Sequence, residues 1–252
     1  MKIMPLKDYE EYLRSLNIMV LKTNEEVNKE KVYTAEDICS QLRVINEFHK
    51  ATMGYDEYFA FKLENCTGKK VEQYKVYIKK LKKDIKKISQ NGANNNFEKV
   101  LLSSYQKILD KGEECIKSIY ENSYYEIIDR SMRRIEICLG NTWFDNLTKT
   151  DTLWVRTLKR SCFNMVEFDG IYLLSKLEKR GYDIDIKESV RYFCDLEQLN
   201  SKSEKFILAM ISFPSETMRC FERYRRDKNN LEGRNYEAQI YRALEKDGIS
   251  VI

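Results

Sequence analysis

Proline and glycine are scarce in this sequence, and their scarcity limits the fold classes open to it. Its 252 residues include two prolines and nine glycines, whereas Leu, Ile, Lys and Glu occur throughout. These abundant residue types favour helices. The hydrophobic content of 42% is enough to bury a core in one large domain or two small ones, which excludes a disordered chain. We therefore predict a folded, mainly helical protein.

Patterns typical of metal sites and disulfide frameworks are also missing. The seven cysteines are odd in number and widely spaced, with no CxxC motif and no Cys/His pairing, and there is a single histidine. Such spacing fits free thiols in a reducing compartment better than a disulfide framework or a zinc site. The sequence predicts no metal site and no cofactor.

The excess of one charge is small, and long apolar runs are absent. Lys and Arg number 44 against 40 Asp and Glu, a net charge of +4 that does not by itself imply a polyanionic partner. No segment reaches the roughly 18 apolar residues of a membrane span, and Met1 to Leu21 lacks the apolar run of a signal peptide. We expect no membrane partner and a protein that is cytoplasmic when made.

The clearest helix is predicted over residues 35–52. Thr34 and Asp37 form a capping pattern, and an apolar face at helical spacing follows, made by Ile38, Leu42, Ile45 and Phe48. His49 lies in the last turn of this helix. No Cys, Ser or carboxylate pattern pairs with it, so we interpret it as a helix cap that meets terminal carbonyls rather than as a catalytic base.

Two longer helices are predicted at about 69–89 and 96–121, separated by a polar break, and we expect them to pack antiparallel. The first has one apolar stripe, formed by Val71, Tyr74, Ile78, Leu81, Ile85 and Ile88. Its other face is basic, with Lys75, Lys79, Lys82, Lys83, Lys86 and Lys87. Such a face can meet nucleic acid, anionic lipid or an acidic protein, but no base-stacking aromatics are interleaved with the lysines. We favour a solvated face, so nucleic acid is not the expected partner.

The second half of the chain mixes short elements with further helices. Ser123 is predicted to cap a helix to about Arg133, with Tyr125, Ile128 and Met132 inward. A short strand follows at 135–139, and another at 153–158. Apolar helix faces are then predicted for Leu173, Leu174 and Leu177, for Val190, Phe193 and Leu196, for Ile207, Met210 and Ile211, and for Phe221 and Tyr224 after Pro214. The basic cluster Arg223, Arg225, Arg226 and Lys228 is interpreted as a solvated helix end, and a last helix is expected at about 234–245.

The stretch Leu139–Leu147 resembles a kinase catalytic loop. In the phosphotransferases of small molecules, such as aminoglycoside and choline kinases, the loop reads His-Gly-Asp, four further residues and Asn. Gly140 and Asn146 keep that spacing here, but Leu139 replaces the His and Asn141 replaces the Asp. Within that superfamily, residues 35–247 most resemble the spore-coat kinase-like (CotS-like) proteins of spore-forming bacteria. The helix ending Phe-His-Lys-Ala at 48–51, the Lys-rich helix pair and the turn at 182–185 contribute to the resemblance.

This resemblance implies which groups an active site would need. In active relatives the loop Asp deprotonates the acceptor hydroxyl, the Asn holds Mg²⁺, and an Asp on a following strand holds the metal that bridges the ATP phosphates. Asn141 takes the first position and Asn146 the second. The third falls on Thr157, or on Glu167 in a second alignment; we prefer Thr157, because Asp169 then matches the Asp that opens the family's next helix. An amide is no base at neutral pH, and Thr is a poor substitute for a charged Mg²⁺ ligand.

Most of a nucleotide-binding lobe is not recognisable in the sequence. Such a lobe needs a sheet of roughly 80 to 100 residues, with a Gly-rich loop and a strand Lys paired with a helix Glu. The first 60 residues contain one glycine, Gly54, and Lys22 is the only candidate strand Lys, which we interpret as a solvated loop residue. We therefore divide the chain into a vestigial segment, 1–33, and a kinase-like helical lobe, 34–252.

The predicted fold is mainly α, a protein-kinase-like helical C-lobe of the aminoglycoside phosphotransferase type with a small β element. The predicted function is that of a catalytically inactive pseudokinase, a spore-coat component that contacts other coat or morphogenetic proteins. Its site holds only degenerate loop positions: Gly140, Asn141, Asn146 and Thr157. Three alternatives stay open: a phosphotransferase completed by a partner chain, a basic helical nucleic-acid-binding protein, and a remnant with no function of its own. The sequence does not give the oligomeric state.

Overall fold

The computed structural model of the protein describes residues 8–21, 32–54, 63–227 and 235–248. The chain divides into two compact units. Unit 1 comprises Met1–Gly68 and Ser123–Ile207, and unit 2 comprises Lys69–Asn122 and Leu208–Ile252. The described helices are α1 Tyr9–Ser15, α2 Ala35–Thr52, α3 Lys69–Asn91, α4 Asn96–Glu121, α5 Tyr124–Arg134, α6 Glu167–Lys179, α7 Ile186–Leu196, α8 Ser201–Ser212, α9 Ser215–Asp227 and α10 Tyr236–Lys246. The strands are β1 Ile18–Val20, β2 Glu64–Asn65, β3 Ile137–Cys138, β4 Leu147–Lys149, β5 Leu153–Val155 and β6 Cys162–Phe163.

Helix α2 begins and ends where the sequence predicts. The Thr34 hydroxyl accepts a hydrogen bond from the Asp37 backbone N–H at 3.2 Å, and the Asp37 carboxylate accepts from the Thr34 N–H at 2.9 Å. This reciprocal pair satisfies two of the N–H groups that a helix start leaves without intrahelical partners. The predicted apolar face is almost completely buried: Ile38, Leu42, Ile45 and Phe48.

Two small sheets in unit 1 flank the loop that follows β3. In the first, β5 pairs in parallel with β1 and antiparallel with β4; in the second, β6 pairs in parallel with β2 and antiparallel with β3. The predicted strand before the loop is confirmed, but it is limited to Ile137–Cys138. The strand predicted over 153–158 ends at Val155, so Thr157 lies beyond it. The described part of the segment 1–33 contributes α1 and β1, whereas Lys22 lies outside the described residues.

Helix α5 forms in unit 1, but its orientation differs from the prediction. The buried residues are Tyr124, Ile127 and Ser131, whereas Tyr125 and Met132 are 70% and 62% exposed. Ser123 has a φ of 62° and its side chain does not cap the helix. The predicted face, with Tyr125 and Met132, and the buried face, with Tyr124 and Ile127, are shifted by one residue along the helix, and both carry apolar side chains. The buried face also includes the small polar Ser131. Periodicity alone therefore selected the wrong face.

Unit 2 is built on the predicted antiparallel helix pair, α3 and α4. All six stripe residues of α3 are buried, and the six lysines predicted on its basic face are exposed, as expected. Tyr120, near the end of α4, donates a hydrogen bond to Glu72, near the start of α3. Glu113, which precedes Tyr120 in α4, pairs with Lys82, which follows Glu72 in α3. This reversed order of partners shows that the two helices run antiparallel.

Helix α9 packs against α3, and α10 packs against α4 and α9. Phe221 and Tyr224 are buried as predicted, and the Tyr224 ring stacks on Phe97 at 4.1 Å between centroids. The interpretation of the second basic cluster as a solvated helix end is wrong for Arg225, which forms ion pairs with Asp84 and Glu222. Its neighbours Arg223 and Arg226 are exposed, and Lys228 lies outside the described residues.

The remaining apolar faces lie largely where periodicity places them. Leu173, Leu174 and Leu177 of α6 are fully buried, and the predicted residues of α8 are buried as well. In α7, Leu196 is only half-buried, in contrast to Val190 and Phe193. All seven cysteines are free thiols. Within the ranges that the structure describes, no helix combines the length and apolar character needed to cross a membrane.

Candidate functional site

The loop between β3 and β4 has a backbone that only glycine fits at its second residue. Gly140 has a φ of 72°, in the left-handed region that side chains disfavour. A Cβ at this position would lie 2.4 Å from the backbone oxygen of Arg160 and 2.8 Å from its Cβ. The retained glycine of the loop is therefore explained by a close approach between the two backbone segments.

Three of the predicted site positions are brought together by hydrogen bonds. The Asn146 side-chain amide donates to the backbone oxygen of Asn141 at 2.7 Å and to that of Thr157 at 3.3 Å. Its oxygen accepts from the Thr157 N–H at 2.9 Å, and the residue is only 2% exposed. The nitrogen and the oxygen of this side-chain amide are thus both hydrogen-bonded to backbone groups, and Asn146 connects the loop to the segment after β5.

Glu167, the alternative third position, lies in a different environment. It begins α6, it is fully buried, and its carboxylate pairs with Arg130 at 2.7 Å. Of the two residues considered for this position, Thr157 is therefore the one that lies beside Asn146.

The side chains at three of the predicted site positions carry no charge. Asn141, Asn146 and Thr157 offer two amides and a hydroxyl, and Mg²⁺ is normally held by one or two carboxylates together with water and phosphate oxygens. Across residues 8–21, 32–54, 63–227 and 235–248, no group of three or more His, Cys, Asp or Glu side chains is arranged to hold a metal ion. The described loop thus presents no charged metal ligand in these positions and no general base at position 141.

One buried carboxylate, Asp169, fixes the backbone where the loop begins. It lies in the first turn of α6, and its two oxygens accept from the backbone N–H groups of Leu139 and Gly140, each at 2.7 Å. The Thr142 hydroxyl donates to the Asp169 backbone oxygen at 2.9 Å. Charge-assisted hydrogen bonds of this kind are about twice as strong as neutral ones, so the loop start is held rigidly.

His49 forms a buried ion pair with two carboxylates, which corrects its interpretation as a cap of helix carbonyls. Its Nε2–H donates to Asp169 at 3.0 Å and its Nδ1–H donates to Glu197 at 2.7 Å. Burial by itself would lower the pKa of His49, but Glu197 and Asp169 outweigh it and raise the pKa to about 10. The imidazole is therefore charged at neutral pH. The sequence signal was missed because the two partners lie 148 and 120 residues further along the chain.

A second buried network ties α5 to the segments around the loop. Arg130 pairs with Glu136 at 3.1 Å and with Glu167 at 2.7 Å, and it also donates to the Ser203 hydroxyl at 3.0 Å. Both glutamates are almost completely buried, and burial of these charges is tolerated because each is paired. The hydrogen bonds to Glu167 and its charge raise the pKa of Arg130 against the opposing effect of burial. Sequence reasoning did not identify this network.

Helix α2 supports the loop from the other side. Gln41 donates from its amide nitrogen to the backbone oxygens of Thr142 at 2.9 Å and Leu147 at 3.0 Å. Asn46, one turn further along, donates to the backbone oxygen of Leu196 at 2.8 Å. Buried amide donors that satisfy backbone oxygens in this way specify one loop conformation.

A comparison with solved structures identifies the fold. An aminoglycoside phosphotransferase from Alicyclobacillus acidocaldarius subsp. acidocaldarius DSM 446 superposes with a TM-score of 0.62 and 14% sequence identity. The match covers 84% of this chain and 63% of that one. No protein-family model matches the sequence, and no curated protein matches it.

The chain therefore has the kinase-like fold of the aminoglycoside phosphotransferases, as the catalytic-loop resemblance predicts. At 14% identity the similarity establishes the architecture and leaves the activity open. The chain spans less than two thirds of the length of this structural neighbour.

Proposed function

We propose that this protein is a catalytically inactive member of the phosphotransferase fold that acts through protein contacts. One observation supports the proposal more than any other. The Asn146 side chain, which matches the metal-binding Asn of active relatives, is buried and fully used in hydrogen bonds to the backbone of Asn141 and Thr157. The side chains at those two positions are also neutral.

The physical cost of these replacements is large. Phosphoryl transfer depends on positioning and on electrostatic stabilisation by metal ions, with a loop carboxylate that accepts the proton of the acceptor hydroxyl. Loss of a general base alone typically lowers the rate by roughly 10² to 10⁴. Asn141 removes that base, and Thr157 removes the charge that would bind the bridging metal.

We further propose that the protein is a component of the spore coat, made in the cytoplasm and assembled with other coat or morphogenetic proteins. The support is the resemblance of residues 35–247 to the spore-coat kinase-like family. Fractionation tests this part separately. A tagged chain should copurify with the coat of spores from the organism that makes it, and its absence from that fraction would remove the coat assignment without bearing on catalysis.

The test of inactivity is a thermal melt with millimolar ATP and Mg²⁺. We expect no change in melting temperature. A ligand at 100 times its dissociation constant adds about 2.7 kcal/mol of stability, a shift of several degrees that is easily seen. A rise that requires both ATP and Mg²⁺ would contradict the proposal.

A double variant asks whether the two replacements alone account for inactivity. Asn141→Asp with Thr157→Asp would rebuild the carboxylates, and we still expect no ATP turnover with small-molecule or protein acceptors. The reason is that positioning of the adenine and triphosphate supplies most of the catalysis, and no Gly-rich loop is recognisable in the sequence. Turnover well above the parent would show that nucleotide is bound.

Such turnover would favour a second candidate, a phosphotransferase completed by a partner chain. The observation behind it is that this chain spans 63% of the aminoglycoside phosphotransferase it resembles. The discriminating measurement is magnesium-dependent ATP binding by the complex purified from its source, compared with the isolated chain. Binding by the complex alone would select this candidate.

A further inference from the structure

Two cationic side chains in unit 1, Lys176 and Arg180, lie together beside the loop between β3 and β4, and a third cation, Arg160, lies near enough to lower the pKa of Lys176. Lys176 and Arg180 are one helical turn apart at the end of α6, and both lie over the ring of Trp143. The Lys176 Nζ is 4.1 Å from the ring centroid, and the Arg180 guanidinium carbon is 4.6 Å from it. Arg160 is the residue whose backbone packs against Gly140. We call these three residues the Trp143 cation cluster.

The absence of ion pairs distinguishes this cluster from three other cations of unit 1: His49, Arg130 and Lys149. His49 and Arg130 each bind two carboxylates, and on the surface of unit 1 Lys149 pairs with Glu47. In the described ranges, by contrast, Arg160, Lys176 and Arg180 form no ion pair within 4.0 Å, and Lys176 has only a long hydrogen bond of 3.4 Å to the Tyr172 hydroxyl.

The electrostatics of Lys176 show the same imbalance. Burial lowers the pKa of its ammonium group, and the positive charges of Arg180 and Arg160 lower it further, while Asp145 opposes them. Like charges that lack partners destabilise one another, and more strongly where water is partly excluded. Among the charged groups that act on Lys176, Asp145 is the one carboxylate, so that carboxylate and the three cluster cations together carry a charge of +2.

The aromatic surface beneath the cluster is rigid. Trp143 is 5% exposed, and it meets the edge of Tyr33, which in turn stacks on Phe144 at 3.6 Å between centroids. Cation–π contacts hold the Lys and Arg heads over this surface, so part of the ordering entropy that ligand binding would cost is already spent on folding. The cluster is thus both preorganised and short of negative charge.

We propose that the Trp143 cation cluster binds a phosphate monoester group. Such a group carries a charge of about −2 at neutral pH, which matches the local excess, and its three oxygens accept hydrogen bonds from Lys and Arg heads in the geometry that these side chains favour. The proposal concerns recognition and includes no transfer step. It goes beyond the inactive-scaffold function and does not depend on it.

The fluorescence of Trp143 provides a direct readout. The chain has two tryptophans, so the Trp154→Phe variant leaves Trp143 as the sole tryptophan. This variant is titrated in EDTA and at constant ionic strength with a phosphoserine peptide, with its serine counterpart, with glycerol 3-phosphate and with inorganic phosphate. We expect a saturable change with the phosphorylated ligands and none with the serine peptide.

The arms of this titration separate the sources of the group. Equal dissociation constants for the peptide and glycerol 3-phosphate would assign recognition to the ester group itself, whereas tighter peptide binding would assign it to a phosphorylated protein. A change that is absent, linear in concentration or equal for the serine peptide would overturn the proposal.

Matched variants test the residues. Lys176→Gln and Arg180→Gln should each weaken binding about tenfold, the loss expected when one charge-assisted hydrogen bond is removed. Lys87→Gln removes the same charge from an exposed position in unit 2 and should leave the dissociation constant unchanged within about twofold. Arg180 is exposed, so its variant keeps the test valid if Lys176→Gln does not fold. If Lys87→Gln weakened ligand binding as much as the cluster variants do, the loss would be explained by net charge alone, and a defined site would be refuted.

The readout is also independent of the test of inactivity. The titrations contain EDTA, whereas nucleotide binding at a catalytic site of this fold requires magnesium. Failure of the phosphate titration would therefore remove the cation cluster as a binding site and leave the inactive-scaffold proposal intact, and a magnesium-dependent response to ATP would do the reverse.

Discussion

Units 1 and 2 differ in how deeply they bury charged side chains. In unit 1, five acidic or imidazole groups around the loop are at most 5% exposed: His49, Glu136, Glu167, Asp169 and Glu197. In unit 2 the ion pairs between described residues are exposed or only partly buried. The Lys82 and Glu113 side chains are 52% and 47% exposed, and those of Arg225 and Asp84 are 27% and 24% exposed. Only one acidic residue of the described part of unit 2, Glu98, is buried.

The two units also differ in composition. By the printed sequence, unit 1 has 23 Lys and Arg against 26 Asp and Glu, and unit 2 has 21 against 14. Unit 1 uses buried charges to hold backbone groups of a loop that regular secondary structure leaves unpaired. Unit 2 uses an apolar seam between long helices and keeps its positive excess in solvent. Specific loop geometry thus requires buried polar groups, whereas helix pairing does not.

The largest expected effect comes from deleting a buried charge in unit 1. Asp169→Ala leaves two buried N–H groups without an acceptor and His49 with one carboxylate, so we expect a loss of about 3 to 5 kcal/mol in the free energy of unfolding. The measurement is urea denaturation. Asp129→Ala is the control, because Asp129 forms only an exposed pair with Arg133 and should cost under about 0.5 kcal/mol. Similar losses in the two variants would abolish the contrast between buried and surface charges.

The converse change adds a charge to the apolar seam of unit 2. Ile85 is 6% exposed and belongs to the α3 stripe. Ile85→Asp places an unpaired carboxylate there and should cost roughly 3 kcal/mol or more. Lys86→Asp introduces the same side chain at the neighbouring exposed position and should leave the melting temperature nearly unchanged. If both variants melt like the parent, the stripe is not a core surface.

The pH dependence of stability isolates the contribution of His49. Its pKa is 6.5 when unfolded and about 10 when folded, so the folded state binds the extra proton between these values. The stabilisation is therefore complete below about pH 6.5 and is lost as the pH rises toward 10, with a total on the order of a few kcal/mol. His49→Gln cannot gain this proton. Subtracting its urea-unfolding profile from that of the parent should reveal the fall, and a flat difference would mean that His49 is neutral.

Comparing two glycines in the left-handed backbone region separates the cost of backbone strain from the cost of a steric clash. Gly140 has a φ of 72° and faces the Arg160 backbone, whereas Gly92 in unit 2 has a φ of 80° and nothing within 4 Å of a Cβ position. Gly92→Ala should cost about 1 kcal/mol for the left-handed conformation. Gly140→Ala should cost roughly 2 to 3 kcal/mol, because a clash adds to the strain. Equal losses in chemical denaturation would mean that the Arg160 segment moves aside freely.

The smallest effect is expected for a surface pair of unit 2. Lys82→Ala removes the ion pair to Glu113, both partners of which are about half exposed. Exposed pairs contribute at most about 1 kcal/mol and often nothing measurable, so we expect a change under about 0.5 kcal/mol, lessening further in 0.5 M salt. A calorimetric melt at low and high salt checks both expectations, and a loss of several degrees would give this surface an unexpected structural role.

Local patterns in the sequence predicted the helical part of the fold. The bounds of α2 follow from Thr34 and Asp37, and the α3 stripe follows from spacings of three and four residues. These features depend on neighbours along the chain. The face of α5 was predicted wrongly because Tyr125 and Met132 are as apolar as the residues that do pack, and only tertiary contacts decide between the two faces.

The candidate site likewise has features that follow from neighbours along the chain and features that depend on tertiary contacts. The sequence pattern drew attention to the loop between β3 and β4, with Gly140 and Asn146. The partners of His49 and the cations over Trp143 could not, because Asp169, Glu197 and Lys176 reach the site from distant parts of the sequence. A single histidine and scattered charges carry no signal of pairing until the fold brings them together.

The parallel pairing of β1 with β5 has a consequence for synthesis on the ribosome. Ile18 pairs with Leu153, 135 positions further along the chain, and parallel strands cannot be joined by a short turn. At about 5 to 20 residues per second, β1 leaves the ribosome roughly 7 to 27 seconds before its partner. The helices α3 and α4, which are made in that interval, are contiguous and can pair as they emerge. Strand β1 must therefore remain without its sheet partner while the helical hairpin forms.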